Sequence, residues 1–462
     1  MPPAEGEATG ALVVGPQRRE VLLWGDAAER EALAGVQATL RRYGLHQTEK
    51  ALGLELQRRY RAPGPTPAEA AKPAKAFDVS RYPQRKVALH VMYLGAGFQG
   101  LSVQKHTKNT VEELLFAALA KTRLVQPGAR PSDFGWSRCG RTDAGVSAFG
   151  QVLGVRVRSR LAGGPGGEGG GGAAERRQEG EYDYCGLLNR NLPVEIRVLG
   201  WSPVAEAWDA RFSCKGRHYQ YFFVQDGRYN LDAMREACPK YVGDHDFRNF
   251  CKMDVLTQQS FVRTMRECYI EEAGEVAGRQ VYAFNVKGRA FLWHQVRCMV
   301  AVLFLIGEGH EEAGIIDEML DVARNPRKPQ YKMAREAALV LYECFFDDGD
   351  LDWVRHGDSL AAEQRDVGGA LDAAVLRAAV WRCFAHEVDG YGPADAARPR
   401  GAPKKRHKPL RARGKEPTYE ERLVAAEAKR SRRGAEEAGA GGPAGRVEEG
   451  AALAPSPTSP PT

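Results

Sequence analysis

Seven segments rich in β-branched and aromatic residues recur through the middle of this chain, and the helical patterns between them constrain the fold. VALHVMYL (87–94), QVLGVRV (151–157), IRVLGWSPV (196–204), HYQYFFV (218–224), CYIEEA (268–273), VYAFNVKG (281–288) and LVLYECFFD (339–347) read as strands. Apolar residues at helical spacing predict helices over 110–124, 231–239, 291–306, 312–323 and 352–384. The mixture lacks the regular alternation of a parallel sheet. It predicts an α+β fold, with helices packed on one side of an antiparallel sheet.

Around this core the composition changes sharply. Residues 1–16 read as disordered, 17–61 as helical, and APGPTPAEAAKPAKA opens a Pro/Ala linker over 62–83. The core divides into 84–204 and 205–346. Within the first part, the glycine-rich stretch 161–181 cannot pack and reads as a flexible insertion. Residues 347–397 read as a helical extension. Residues 398–462 read as a basic, then Gly/Pro-rich, disordered tail.

The formal net charge of +7 is localised. Residues 398–433 hold fourteen Lys or Arg against four Glu, residues 434–462 carry −3, and the rest balances to zero. The clusters KKRHK (404–408) and KRSRR (429–433) suit nuclear import or phosphate contact, which points to the nucleus and/or cytoplasm. Nine cysteines without a C-x-x-C pair suggest reduced thiols and no zinc-type spacing. MPPAEGEATG lacks the apolar core of a signal peptide, and MVAVLFLIG (299–307) is too short to span a bilayer. The expectation is a soluble intracellular protein with no membrane association.

One loop carries the chemistry. In WSRCGRTDAGVSAFGQV (136–152), Asp143 lies two residues after Arg141, between Gly140 and Gly145. A carboxylate kept ionised by a neighbouring guanidinium can serve as a nucleophile at a sugar carbon. Taken alone, the same two residues are better read as an Arg–Asp pair that fixes a surface turn. A second motif competes: GAGFQG (95–100) fits the dinucleotide fingerprint, which requires a helix to open inside the glycine run. The helix signal comes later, with Asn109 or Thr110 as its N-cap.

Read as a longer string, GRTDAGVSAFGQV resembles the catalytic motif of the TruA family of tRNA pseudouridine synthases. GRHYQYFF (216–223) resembles the family's Arg-x-Tyr-x-Tyr strand, and GRAFLWHQVRCMVAVLFLIGEG (288–309) its Phe-x-x-His-x-Val-Arg helix. YLGAGFQGLSVQ (93–104) stands where the family has its first strand and loop, and the resemblance covers about residues 84–346. It implies two ferredoxin-like halves whose antiparallel sheets join around a central cleft. The implied activity is isomerisation of uridine to pseudouridine in tRNA, using a catalytic Asp and no cofactor.

The resemblance also implies roles for individual residues. Asp143 would be the nucleophile or charge stabiliser, and Arg297 would pair with it. Tyr219 would pack on the target base, and Arg141 would enter the stem-loop as the uridine leaves. Arg217 and His218 could add contacts to the RNA backbone, while His294 reads as a satisfied helix histidine. GDHDFRNFCKMDV (243–255) resembles the eukaryotic branch acting on uridines 38 and 39 of the anticodon arm. Leu94 and Glu336 depart from the family's usual Asp and Pro. VQATLRRYGLHQTEKALGLELQ (36–57) resembles a LisH dimerisation module, which implies a homodimer. A catalytically silent tRNA-binding or folding protein on the same scaffold is one alternative, and a dinucleotide-dependent enzyme resting on GAGFQG is the other.

Overall fold

The computed structural model describes residues 77–161, 180–255, 260–390 and 407–439. The LisH-like segment, most of the linker and of the glycine-rich insertion, and the ends of the basic tail lie outside the described residues. Nine strands form one sheet in the order β4-β1-β3-β9-β5-β8-β7-β6, with β2 pairing on β3. β1 (Gln84–Tyr93), β2 (Ser137–Arg138), β3 (Ser147–Arg158) and β4 (Ile196–Pro203) form the first part. α1 (Val111–Lys121) and α2 (Tyr184–Asn189) connect them. Counted within this half, the strand order is 4-1-3-2, that of a ferredoxin-like unit.

The second part repeats that order. β5 (Gly216–Val224), β7 (Val262–Val276), β8 (Arg279–Gly288) and β9 (Leu339–Phe345) lie as β9-β5-β8-β7, with β6 (Gly243–Asp246) added at the edge. α3 (Leu231–Ala237), α4 (Gln295–Gly307) and α5 (Gly314–Leu320) belong to this half. The α+β class and the two joined halves read from the sequence are thus the observed architecture. All the ladders are antiparallel except one: β3 and β9 pair in parallel through Ser147↔Val340 and Ala148↔Leu341.

Strand alternation separates two faces. Leu89, Val91, Tyr93, Tyr219, Tyr221, Phe223, Phe284 and Val286 point into the main core with the helices, where α4 is almost wholly buried. On the opposite face, Ala88, Val152, Val204, Trp208 and Ala210 form a smaller apolar cluster. The polar positions His218, Gln220 and Asn285 face away from the main core, where the Asn285 amide oxygen meets both His218 Nε2 (2.8 Å) and Gln220 Nε2 (2.9 Å).

α6 (Gly357–Gly390) is the long extension. Its first turns dock on the first half, where Arg197 pairs with Asp366 at 2.9 Å and Ser359 bonds to Asp183. Beyond them Leu371, Val375, Leu376, Val380, Trp381 and Phe384 are exposed. The basic tail departs from the expected disorder over residues 407–439. Leu410 is fully buried, the backbone of Gly414 and Glu416 bonds to Gln330 and Lys328, and α7 (Tyr419–Gly439) follows. The body supplies the partners: Glu311 accepts Leu410 N–H, Glu318 pairs with Arg411, and Arg327 pairs with the tail's own Glu421. Part of the tail's positive charge is therefore neutralised by the body. No helix among the described residues is long and apolar enough to cross a membrane.

Candidate active site

β2 has only two residues, and it takes the edge of β3 at Gly154 and Leu153. β9 takes the same strand at Ser147 and Ala148. The connection 139–146 therefore emerges at the seam between the halves. Its backbone is fixed from several directions. Gln151, fully buried, donates to Gly140 O (2.8 Å), and Tyr93 Oη meets Thr142 Oγ1 at 2.6 Å. Leu101 N donates to Thr142 O (3.2 Å), and Gly145 N to Phe98 O (3.2 Å).

Those last contacts explain the glycines of 95–100. A Cβ on Gly95 would lie 2.0 Å from Val146 O, and Gly100, at φ +92°, sits against Thr142 and Asp143 backbone. Gly95–Gly97 forms a short 3₁₀ turn, and the next α-helix opens only at Val111. Its N-cap is Thr110, whose hydroxyl accepts from Glu113 N, while Asn109 donates to Gly97 O. The first N–H groups of that helix, at Val111 and Glu112, are spent on Gly100 O and Leu101 O, and the helix does not open inside the glycine run, so the dinucleotide geometry is not met. The glycines serve as a floor on which the Asp143 loop rests.

Asp143 is partly exposed, and both its oxygens are engaged. Trp293 Nε1 donates to Oδ1 at 3.1 Å, and His294 Nε2 lies 3.3 Å from Oδ2. Adjacent residues reach one carboxylate because His294, the N-cap of α4, adopts the left-handed conformation at φ 61°. That conformation costs a non-glycine residue about 1 kcal/mol or more, and such strain concentrates at functional sites. Burial lowers the His294 pKa, with Asp143 pulling the other way. The buried Nδ1 of the same ring has no hydrogen-bond partner among the described residues. The reading of His294 as a satisfied histidine is corrected here.

The expected Arg297–Asp143 pair is not made. Arg297 donates to Ala334 O (2.8 Å) and pairs with Glu336 Oε2 (2.8 Å). Glu336 stands where the family resemblance leads one to expect proline, so this chain offers the guanidinium a nearer carboxylate. The pair still serves the loop, because Glu336 Cγ packs where a Cβ on Gly145 would lie. Arg141 is exposed and makes no hydrogen bond or ion pair among the described residues, so it does not hold Asp143.

Tyr219 is buried on β5 with its ring edge-on to Phe291 at 4.9 Å, and burial raises its phenol pKa. Phe291 leads directly into Trp293 and His294, which links Tyr219 to Asp143. Arg217 is committed to backbone, donating to Cys139 O (2.6 Å) and Arg289 O (2.7 Å). His218 is buried against Asn285. Neither is free for RNA contact, contrary to expectation. Sequence reasoning missed Trp293 and Lys252, whose ammonium sits 4.3 Å from the Trp293 ring centroid. The Trp-His pair just before an apolar helix was the available signal.

An oriented carboxylate beside buried and half-exposed aromatics thus sits at the seam of two ferredoxin-like halves. The sequence profile described as tRNA pseudouridine synthase matches residues 237–347. The chain is 49% identical over 294 residues to the tRNA pseudouridine(38/39) synthase of Bos taurus, covering 61% of this chain and 60% of that protein. It is 40% identical over 293 residues to the protein of the same name in Saccharomyces cerevisiae, covering 62% and 63%. With the probable tRNA pseudouridine synthase tag-124 of Caenorhabditis elegans it shares 38% over 303 residues, covering 63% and 74%. The chain belongs to the tRNA pseudouridine synthase family. It spans about three fifths of the length of its cattle relative.

Proposed function

We propose that this protein isomerises uridine to pseudouridine at positions 38 and 39 of the tRNA anticodon stem-loop, with Asp143 as its catalytic carboxylate. The observation that carries this reading is the Asp143 side chain, gripped through both oxygens by Trp293 and His294 and facing partly to solvent. A carboxylate so aimed suits attack or charge stabilisation at the ribose anomeric carbon. The glycosidic bond breaks, the uracil turns in place, and its carbon 5 rejoins the sugar. Such a reaction is internally balanced and calls for no cofactor.

A base inside a paired stem must leave the stack before the carboxylate can reach its sugar, and a flat aromatic wall stabilises the displaced base. Tyr219 supplies that wall. Arg141, exposed and uncommitted, enters the space the uridine leaves, and Lys252 adds a phosphate contact at the rim. Arg297 acts on the loop through Glu336. The names of the cattle and yeast relatives support the 38/39 specificity. The reading extends to a homodimer, supported by the exposed apolar side chains of α6, and to a site of action in the nucleus and/or cytoplasm, supported by the basic clusters.

The test compares wild type with Asp143→Ala on tRNA carrying uridine at 38 and 39, mapping pseudouridine by carbodiimide labelling. Modification at both positions by wild type alone is the expected result. Wild-type protein that binds the tRNA but leaves both uridines unchanged would transfer the reading to a silent tRNA-binding scaffold.

A further inference from the structure

Three cysteines far apart in sequence meet beneath the seam. Cys139 follows β2, Cys214 lies in the connection between β4 and β5, and Cys344 is on β9. Their sulfurs all lie within 4.8 Å of one another, and no other three potential metal-ligating side chains come so close among the described residues. Cys139 and Cys214 are buried and Cys344 is partly so. Ala88, Val152, Val204, Trp208 and Ala210 wall the group in. The spacing in sequence, 75 and 130 residues, hid the cluster from motif reading.

We propose that Cys139, Cys214 and Cys344 form a binding site for a thiophilic d10 cation of the zinc class. Thiolate sulfur selects such ions over hard cations. Uptake of one divalent ion displaces the three thiol protons to solvent, and no oxidant is involved. The resulting group carries one net negative charge. Arg217 lies within electrostatic reach of all three sulfurs, and its guanidinium donates to Cys139 O at 2.6 Å. Its charge offsets that excess in a wall that otherwise has little to solvate it. The buried thiols Cys185, Cys238, Cys251, Cys268 and Cys298 form no such triad, and behave as small apolar side chains.

The site has a structural consequence for the reaction. Cys139 immediately precedes Gly140-Arg141-Thr142-Asp143, and its N–H donates to Val152 O (2.9 Å). An ion held by the three sulfurs ties the first residue of that loop to the strand that joins the halves and to the approach to β5. The ion is a clamp on the loop and takes no part in the isomerisation.

The experiment uses the full chain, purified under reductant, stripped with chelator and titrated with Cd(II). The thiolate-to-cadmium charge-transfer band should saturate at one equivalent and be displaced by Zn(II). Cys214→Ala should lose the band while keeping its far-ultraviolet circular dichroism, and Cys238→Ala should retain it. Should the Cys214 variant fail to fold, peptide-resolved alkylation of wild type decides: zinc should slow modification of Cys139, Cys214 and Cys344 and leave the exposed Cys383 unaffected. Failure to saturate at one equivalent, equal uptake by Cys214→Ala, or zinc-independent alkylation overturns the proposal. So does isolation of a Cys139–Cys214 disulfide that takes up no metal. None of these outcomes depends on pseudouridine formation, so the site and the enzymatic reading fail separately.

Discussion

The two halves share one strand order but differ where their second and third strands meet. In the first half β2 is two residues long, and the eight residues 139–146 connect it to β3. In the second half the equivalent strand, β7, has fifteen residues and passes to β8 through Ala277 and Gly278 alone, both at positive φ. Such a two-residue turn matches the twist of its strands and leaves no chain to spare. Shortening β2 does two things at once: it frees the edge of β3 for β9 and leaves a loop at the resulting seam. The candidate site lies in the half whose hairpin is incomplete, while the complete hairpin leaves no loop at the corresponding place.

The largest predicted effect is at the loop itself. Asp143→Asn should lower single-turnover pseudouridine formation by roughly 10³-fold or more, since removing the reacting group leaves only binding. The thermal midpoint should stay near wild type. Substantial modification by this variant would place the chemistry elsewhere. Gly95→Ala tests the floor under the same loop. With Val146 O only 2.0 Å from the new Cβ, backbone must move, at an expected cost of about 3 kcal/mol or more in chemical denaturation. Near-wild-type stability would mean that the loop is less tightly seated than its contacts indicate. Trp293→Phe keeps an aromatic ring but deletes the N–H donated to Asp143 Oδ1. We expect kcat to fall by about tenfold with little change in KM, as for one hydrogen bond to a charged group. A rise in KM alone would make Trp293 a binding residue.

The counterpart in the second half should be quiet. Gly278→Ala strains a residue at φ +77°, and should cost about 1 kcal/mol of stability without changing turnover per folded molecule. A matching loss of turnover would remove the division of labour between the halves.

Why some of this was legible in the sequence and some was not follows from the range of each interaction. The strands, Thr110 as one of two possible caps, and the Asp143 loop depend on neighbours a few residues away. The contacts that aim Asp143 span 150 residues. They depend on a left-handed His294 that no propensity would suggest. Arg297 was expected to meet Asp143, and the substitution that diverts it, Glu336, was visible as a departure but not as a partner. The tail misled for a related reason: it was read as disordered, when Glu311 and Glu318 on the body receive Leu410 N–H and Arg411. Sequence composition reports how much charge a segment has, and only the fold reports where that charge ends.

A smaller comparison concerns the first strand of each half. His90 on β1 and His218 on β5 both point away from the main core, and burial lowers the pKa of each. The His90 ring stacks obliquely on Trp353 at 5.1 Å, and its Nε2 reaches Phe149 O at 3.1 Å. Burial, aided by Arg355, brings this pKa down to about 4. A folded-state pKa below the unfolded value near 6.5 means that the unfolded chain binds the proton first. Stability from the neutral ring is complete above pH 6.5 and is lost as pH falls toward about 4. His90→Gln, which can still donate an N–H toward Phe149 O, should remove on the order of 2 kcal/mol from the stability difference between pH 7 and pH 4. His218→Gln should remove less, because the Asn285 oxygen beside that ring favours its charged form and opposes burial. Denaturant titrations at both pH values measure the two differences. An equal or larger effect at His218 would show that the Asn285 oxygen does not offset the burial of that ring.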